Sequence, residues 1–331
     1  MNGMSNSRRK GAFASAKAMV INMSFSSDIK TELCKITPKR ACCLKAECYG
    51  LWLFSKCFSL REGYFVTEHA GVARRMLELA AEAAGAGGEL RYGVSRRKRP
   101  AYRVSLPDED SRRALLTSFG HSGEEPSLQI NRAVLEDDSC QAAFLRGAFL
   151  SCGTATDPQK EYHLEFVVPY QKLANQLYTL LNEIEAFPVN PLLASRKGGY
   201  VVYWKDGGQI EDLLTFLGAA GASMDLMQVR MYKEAKNDIN RKANFEIANM
   251  DRTYSASARQ IAAIAALKDT GGLEELSEEL QALAKLRLEN PEMTLRQLGE
   301  TLGISRSGVN HRLQRLLELG EERLEKSKEN F

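Results

Sequence analysis

Apolar and polar residues between positions 41 and 232 alternate with two different periods, which predicts a mixture of helices and strands. Apolar residues three and four apart mark helices, whereas short runs rich in β-branched and aromatic residues mark strands. The predicted strands come in neighbouring pairs, so the pattern indicates an α+β domain rather than a parallel α/β sheet. The predicted strands are 63–67, 161–168, 199–205 and a hairpin over 89–106, with helices over 71–84 and 170–184.

The same order of elements occurs twice, which indicates an internal duplication. An offset of 97 residues places Cys43, Ala46 and Gly50 on Cys140, Ala143 and Gly147. An offset of 98 places Leu115-Leu116-Thr117 and Gly120 on Leu213-Leu214-Thr215 and Gly218. We therefore predict two copies of one unit, over 23–130 and 131–232. Small residues four apart share a helix face and let two backbones approach, so the leading helices are expected to pack on each other. Two unrelated core helices would explain the apolar residues but not the matched positions.

The last third of the chain has the composition of a separate helical domain. We predict a linker over 233–256 and a helical domain over 257–331, with Ser257 as a helix cap and Gly271-Gly272 as a stop. A stripe of leucines then predicts an amphipathic helix that ends before Pro291 and packs in a core. The stripe consists of Leu273, Leu276, Leu280 and Leu283.

Residues 294–316 have the spacing of a helix-turn-helix. Thr294 can cap the first helix, Gly299 is small where the helices cross, and Gly303-Ile304-Ser305 forms the turn. The apolar positions are Leu295, Leu298 and Leu302 on the first helix and Val309, Leu313 and Leu316 on the second. A helical hairpin buried in a core is the alternative, but it would rarely match every one of these positions. This spacing therefore favours DNA binding.

Polar side chains outside the apolar stripe of the second helix are the candidate DNA-binding residues. Arginine can pair with guanine, asparagine can pair with adenine, and hydroxyl groups at a helix start suit phosphate. Arg312 can serve either purpose, and His311 has the alternative of a neutral exposed residue. The candidates are Thr294, Ser305, Arg306, Ser307, Asn310, His311, Arg312 and Arg315.

Composition and charge limit the classes of protein. The 331 residues suffice for about two domains, and the apolar runs fall short of the ~20 residues that a membrane helix needs. With 44% hydrophobic and 26% charged residues, a wholly disordered or collagenous chain is excluded. The net charge of +3 is too small to indicate an anionic partner, so any evidence for such a partner must come from local clusters of charge.

One such cluster lies on the predicted 89–106 hairpin, where six cations and two tyrosines occur between positions 91 and 103 without an acid. Such a strip can neutralise phosphates, while the aromatic rings offer stacking faces. A solvated edge that discourages strand pairing is an equally good interpretation. The second copy, with Arg196 and Lys197, is less basic, so a protein partner for this surface stays open. The auxiliary DNA-binding candidates are Arg91, Arg96, Arg97, Lys98, Arg99 and Arg103.

The seven cysteines do not have the spacing of a metal site or of a disulfide framework. Their number is odd and the sequence contains no CxxC pair. We therefore expect no metal site and no cofactor, and interpret the thiols as small hydrophobic residues in a reducing cytoplasm.

The first 22 residues differ from the rest of the chain. They contain Arg8, Arg9, Lys10 and Lys17, no acid, and only a short apolar stretch. We expect either a disordered tail or a start upstream of the true one, with the first domain beginning at Met23.

Two segments carry a resemblance to a known family. The segment Leu145-Arg146-Gly147-Ala148-Phe149-Leu150-Ser151-Cys152-Gly153 resembles the LAGLIDADG motif of homing endonucleases, and Cys48 to Lys56 resembles a degenerate partner. Together with the helix-turn-helix and the run Asn240 to Asn249, the chain from Met23 resembles the WhiA family of bacterial transcription regulators. The resemblance implies a duplicated LAGLIDADG-like α/β domain, with two central helices and a saddle of antiparallel strands, followed by an all-α helix-turn-helix domain.

The departures from the endonuclease motif bear on catalysis. In the nucleases an acid just before the final glycine of the motif holds divalent metal, and here Ser55 and Cys152 occupy these positions. Neither offers the carboxylate oxygens that Mg²⁺ requires. Asp157 is close in sequence, but its neighbour Pro158 indicates a loop carboxylate.

We therefore predict a DNA-binding transcription regulator that is not an enzyme, whose partner is double-stranded promoter DNA and which has no membrane partner. By resemblance its roles lie in sporulation, cell division and chromosome segregation, at the nucleoid in the cytoplasm. A residual metal-dependent endonuclease is the alternative, and a fold by itself does not decide between them.

Overall fold

The computed structural model describes residues 24–95, 98–186, 188, 190–196 and 198–329, with side chains to residue 323. The chain divides into two compact units, Met1–Tyr232 and Lys233–Phe331. The prediction for residues 1–22, and the start at Met23, lie outside the described residues.

The first unit contains the two predicted copies. The first copy consists of α1 (Phe25–Leu33), α2 (Ala41–Leu53), β1 (Cys57–Phe58), β2 (Gly63–Thr67), α3 (Ala70–Ala84), β3 (Glu89–Val94), β4 (Pro100–Ser105) and α4 (Glu109–Ser118). After a short 3₁₀ turn at Arg132–Val134, the second copy consists of α5 (Asp138–Cys152), β5 (Gly153–Ala155), β6 (Leu164–Val168), α6 (Gln171–Asn182), β7 (Leu192–Arg196), β8 (Gly199–Trp204) and α7 (Gly207–Leu217). From α2 and from α5 onward, the two copies have the same order of elements.

The two sheets have the same topology, which confirms the duplication. Each has four strands, in the order β1-β2-β4-β3 and β5-β6-β8-β7, and all neighbouring strands are antiparallel. The predicted 89–106 hairpin is the pair β3–β4. The strand predicted over 161–168 begins only at Leu164. The pattern did not predict β1, β5 or β7, which are short or lie at a sheet edge, where little apolar burial marks the sequence.

The helices α2 and α5 lie in direct backbone contact at the predicted glycines. A Cβ atom on Gly50 would lie 2.1 Å from the carbonyl oxygen of Phe144, and one on Gly147 would lie 2.1 Å from that of Glu47. These two contacts are related by the offset of 97 residues, so they repeat each other about a pseudo-two-fold axis. Any side chain at either glycine would force the helices apart.

The helix pair also contains a buried carboxylate. Glu47 on α2 is 0% exposed and accepts from Arg75 Nε at 2.5 Å and from Arg146 Nε at 2.9 Å. Arg75 also donates to the carbonyls of Cys34 and Ile36, and Arg146 donates to that of Leu217. This cluster joins α2, α3 and α5 inside the core of the first unit.

The second unit is helical, but its first helix differs from the prediction. Helix α8 runs over Ala220–Asp269, so the predicted linker over 233–256 is helical. Ser257 lies within α8 and donates to the carbonyl of Pro291 at 2.6 Å, so the predicted helix start at Ser257 is wrong. Helix-forming side chains on both sides of Ser257 continue the helix through it, because a serine that bonds elsewhere need not act as a cap. The predicted stop is confirmed: α8 ends before Gly271, which has a φ of +70°.

The remaining helices form the second unit's core. They are α9 (Glu278–Glu289), α10 (Leu295–Leu302) and α11 (Arg306–Glu329). This core is formed by leucines of the predicted stripe and of the predicted helix-turn-helix, together with residues of α8. Its fully buried members are Ile264, Leu267, Leu283, Ala284, Leu298, Val309, Leu313 and Leu316.

Across the described part of the chain, each helix is too short or too polar to cross a bilayer.

Candidate nucleic-acid interface

The start of α10 and the turn after it have the geometry that the sequence predicted. Thr294 and Gln297 form a capping box: Thr294 Oγ1 accepts from Gln297 N–H at 3.3 Å, and Gln297 Oε1 accepts from Thr294 N–H at 2.9 Å. Gly303 ends the helix with a φ of +68°, a conformation that side chains disfavour. A Cβ atom on Gly299 would lie 2.6 Å from the carbonyl oxygen of Ile304. The turn between α10 and α11 therefore requires both glycines.

Helix α11 has one buried face and one exposed face. Val309, Leu313 and Leu316 are at most 1% exposed. Ser305 accepts from the N–H of Gly308 at 3.1 Å and so caps the helix, as predicted. The exposed candidates on and beside α11 are Ser305, Arg306, Ser307, Asn310, His311 and Arg315.

Two of the candidate cations on α11 are engaged by acids. Arg312 is only partly exposed and its guanidinium lies 2.6 Å from Glu279 on α9. Arg315 lies 3.3 Å from Glu318, one turn further along α11, with both side chains exposed. The structure therefore places Arg312 against α9, whereas Arg306 and Asn310 lie on the open surface.

An open cavity of about 450 Å³ lies beside the first turns of α11. Arg306 and Asn310 line it together with Thr294 from the start of α10. Four further arginines, which the sequence analysis did not select, also line it: Arg252, Arg259, Arg296 and the buried Arg287. Arg252 and Arg259 are seven residues apart, two turns on one helix face, and that spacing was the available signal. The signal was missed because 233–256 was interpreted as a linker, which separated Arg252 from Arg259 in the predicted helical domain.

The β3–β4 hairpin carries the auxiliary candidates, and the fold brings acids to them. Arg91 lies 2.9 Å from Glu89, Arg99 lies 3.3 Å from Glu68, and Arg103 lies 3.5 Å from Glu62. These pairs are exposed and therefore contribute little to stability and exchange readily. Lys98 is exposed at the hairpin end with a φ of +58°, whereas Arg96 and Arg97 lie outside the described residues. The hairpin is less positive than its sequence suggests, because Glu62 and Glu68 come from outside it.

Aromatic and aliphatic side chains share this hairpin with the cations. Tyr92 and Tyr102 face each other across the two strands with ring centroids 5.6 Å apart, and Tyr92 is 68% exposed. Val94 is also largely exposed. In the second copy Arg196 and His163 both lie 3.0 Å from Glu165. Both sheets thus present mixed apolar and ion-paired surfaces, which suit nucleic acid or protein.

The ends of α2 and α5 hold the degenerate nuclease positions. Ser55 is buried and donates to the carbonyl of Cys57 at 3.4 Å. Burial raises the pKa of the Cys152 thiol to about 12, although Lys30 nearby opposes this, so the thiol is neutral at physiological pH. Asp157 accepts from the N–H of Gln159 at 2.9 Å and so stabilises a turn, as predicted. Within the described residues, the side chains that lie close enough together to hold a metal ion are those of Cys42, Cys43 and Cys140. Ser55 and Cys152 do not belong to that group.

Comparison with known proteins assigns both units. The family model for the WhiA LAGLIDADG-like domain matches residues 141–236, and the model for the WhiA C-terminal helix-turn-helix domain matches residues 239–320. The "Probable cell division protein WhiA" of Ruminiclostridium cellulolyticum is 38% identical over 308 residues, which is 90% of this chain and 97% of that protein. The protein of the same name from Alkaliphilus metalliredigens is 34% identical, over 92% of this chain and 100% of its own. The crystal structure of full-length WhiA from Thermotoga maritima covers 91% of this chain and 99% of its own, with a TM-score of 0.55 and 25% identity. The chain therefore belongs to the WhiA family, with a degenerate LAGLIDADG-like domain followed by a helix-turn-helix domain.

Proposed function

We propose that the protein is a non-enzymatic transcription regulator that reads promoter DNA with helix α11. The observation that carries this proposal is that α11, the second helix of the helix-turn-helix, has one buried apolar face and one exposed polar face. Its apolar face is buried at Val309, Leu313 and Leu316, which leaves Arg306 and Asn310 exposed near its N-terminus. The N-terminal residues of the second helix are those that contact base edges in this motif.

The chemistry of the exposed face suits direct readout. A guanidinium can donate two hydrogen bonds to guanine O6 and N7, and an asparagine amide can pair with N6 and N7 of adenine. Ser305 and Ser307, at the start of the helix, are suited to phosphate, which also favours a helix N-terminus. We assign base readout to Arg306 and Asn310 and phosphate contacts to Thr294, Ser305, Ser307 and Arg315. His311 is assigned to the groove edge, and Arg312 to a structural ion pair with Glu279 that it can exchange for phosphate.

The arginine-lined cavity beside α11 supports the same orientation. Arg252, Arg259 and Arg296 lie next to Arg306. Arg259 pairs with Glu321 and Arg296 pairs with Glu300, and both are exposed ion pairs that can exchange the acid for phosphate. Such a concave cationic surface attracts the DNA backbone without discriminating sequence. Phosphate contacts at this surface would fix the position of α11 while its exposed side chains read bases.

The biological role proposed here follows the relatives' name. Because those proteins are called probable cell division proteins, we propose that the regulated genes act in cell division. Roles in sporulation and chromosome segregation, and a nucleoid-associated cytoplasmic location, follow from the family resemblance. The LAGLIDADG-like domain is proposed to add DNA or protein contacts without cutting DNA, because Ser55 and Cys152 replace the metal-binding acids.

A binding experiment tests the assignment to α11. The preferred duplex is first selected from a randomised pool with the full chain, and affinities are then measured for that duplex and a scrambled one. Arg306→Ala or Asn310→Ala is expected to cost about 1–3 kcal/mol at the preferred site and to relax the choice of one base.

Arg113→Ala provides the matched control, because Arg113 is an exposed arginine on α4 paired with Glu109 one turn away. It is expected to leave both affinity and sequence preference unchanged. If the two α11 variants lower the affinity for both duplexes equally and keep the same base preference, α11 is not the reading helix.

A further inference from the structure

Three cysteine thiols meet at the N-terminal ends of the two central helices. Cys42 and Cys43 lie in the first turn of α2, and Cys140 lies in the first turn of α5. Their three sulfur atoms lie within 4.8 Å of one another, and Cys43 Sγ is 3.9 Å from Cys140 Sγ. Cys43 and Cys140 are the residues that the 97-residue offset aligns, so this contact lies at the pseudo-two-fold axis. The spacing of cysteines along the chain did not predict this cluster, because its thiols come from different copies.

The separation of one sulfur pair matches that of two ligands bound to one metal ion. A bond from metal to sulfur is about 2.3 Å, which separates two sulfur ligands by about 3.8 Å in a tetrahedron and about 4.0 Å in a plane. The observed separation of 3.9 Å between Cys43 and Cys140 lies between these values. A disulfide would need about 2 Å between the same atoms. Cys43 and Cys140 are thus spaced as two ligands of one ion, and the sulfur atom of Cys42 lies within 4.8 Å of both.

The surroundings favour a soft cation and allow access from solvent. Asp137, the nearest capping acid, is occupied: it pairs with Arg40 and accepts from the Ser139 hydroxyl and the Cys140 N–H. Ser139 Oγ lies 3.2 Å from Cys43 Sγ. Cys43 and Cys140 are buried, whereas Cys42 is only partly buried and gives access from solvent. The first turns of both helices, where the helix dipole is positive, lie at the site. Without an ion, burial and the neighbouring Cys42 and Cys43 thiols raise the pKa of the Cys140 thiol to about 12, so an ion must displace its proton.

We propose that Cys42, Cys43 and Cys140 form a three-thiolate site for a thiophilic d¹⁰ metal ion, Zn²⁺ or Cu⁺. Thiolate ligands select these ions over Mg²⁺ or Ca²⁺. Cu⁺ can bind the three sulfurs alone, whereas Zn²⁺ takes a water molecule as its fourth ligand. Each thiol that binds releases its proton to solvent, so binding is weaker at low pH.

The site is separate from the degenerate nuclease positions. Ser55 follows the C-terminal end of α2 and Cys152 is the last residue of α5, and the 13 residues of α2 extend for about 20 Å. A bound ion would join the first turn of α2 to that of α5 and so link the two copies covalently through metal–sulfur bonds. We expect it to stabilise the helix pair on which both sheets are built.

Metal content of the full chain tests the proposal. The chain is reduced with a phosphine under anaerobic conditions, stripped with a chelator, incubated with Zn²⁺ or Cu⁺, desalted and analysed for metal per protein. We expect one ion per chain. Loss of an outer-shell partner already lowers metal affinity by about 10–100-fold, so Cys42→Ser and Cys140→Ser should each lower it by at least about 100-fold in chelator competition.

Cys57→Ser is the matched control, because Cys57 is partly buried like Cys42 but lies in β1, outside the cluster. It should bind metal as the unmodified chain does. A chain that retains less than a tenth of an equivalent of both ions, or variants that bind them equally well, would overturn the proposal.

Alkylation provides a readout that needs no variant. Added metal should slow the alkylation of Cys42 and leave that of Cys57 unchanged, as read by peptide mass spectrometry. Metal should also raise the unfolding temperature of the first unit in a concentration-dependent way. If Cys43 and Cys140 oxidise to a disulfide and added metal does not slow the alkylation of Cys42, the cluster is a redox pair and the metal-site proposal is wrong.

Discussion

At the scale of single residues, buried ion pairs hold helices together in a way that the hydrophobic pattern of the sequence does not reveal. Glu47 falls within the apolar helix α2 and is fully buried, and two arginines from α3 and α5 compensate its charge. Sequence periodicity cannot reveal such a residue, because its partners are 28 and 99 positions away. The same limit applies to Arg312, whose pairing with Glu279 depends on how α9 packs on α11.

Replacing Glu47 tests how much this cluster contributes. Glu47→Ala leaves two buried guanidinium groups without their counter-ion and is expected to lower the free energy of unfolding by about 3–5 kcal/mol. Denaturant titration followed by tryptophan fluorescence measures this. The chain has two tryptophans, and both Trp52 and Trp204 lie in the core of the first unit.

Glu183→Ala serves as the control, because Glu183 forms an exposed ion pair with Arg132 in the same unit. Its expected cost is below about 1 kcal/mol. Equal effects of the two substitutions would mean that the buried cluster is no stronger than a surface pair.

At the scale of helices and strands, sequence patterns predicted the elements that bury a face and missed those that do not. Helices α3 and α6, strand β2 and the helix-turn-helix were predicted because their apolar residues repeat at a regular period. Strand β7 was not predicted, because all of its residues are exposed at a sheet edge. Helix α8 was divided wrongly, because many of its residues between 233 and 256 are exposed and give no stripe. The three-cysteine cluster could not be predicted, since it exists only once α2 and α5 are packed.

The ends of α2 and α5 lead to a prediction about cleavage. Because Ser55 and the neutral Cys152 thiol replace carboxylates, the protein should not nick or cut duplex DNA with Mg²⁺ or Mn²⁺. Supercoiled plasmid and the selected duplex are incubated with the full chain and resolved on gels, beside an active nuclease. Metal-dependent cutting that Ser55→Ala or Cys152→Ala abolishes would contradict the prediction.

At the scale of the whole molecule, two units with different surfaces can divide the work of binding. The second unit combines Arg306 and Asn310 with a cavity lined by arginines, of which Arg259 and Arg296 are paired with exposed glutamates. The first unit presents a hairpin whose cations are paired with Glu62, Glu68 and Glu89. Exposed pairs of this kind exchange an acid for phosphate at little cost. We therefore expect the hairpin to contribute to DNA affinity without discriminating between sequences.

The salt dependence of DNA binding separates these contributions. Lys98→Gln combined with Arg99→Gln should weaken binding to the selected and scrambled duplexes alike, because each lost phosphate contact removes released counterions. The slope of log K against log salt should flatten by about 0.9 for each lost contact, hence by about 1.8 for the pair. Arg132→Gln, an exposed and ion-paired arginine away from the hairpin, should leave the slope unchanged. An unchanged slope in the Lys98 and Arg99 variant would show that these two side chains do not contact phosphate. A changed base preference in that variant alone would place sequence recognition in the first unit.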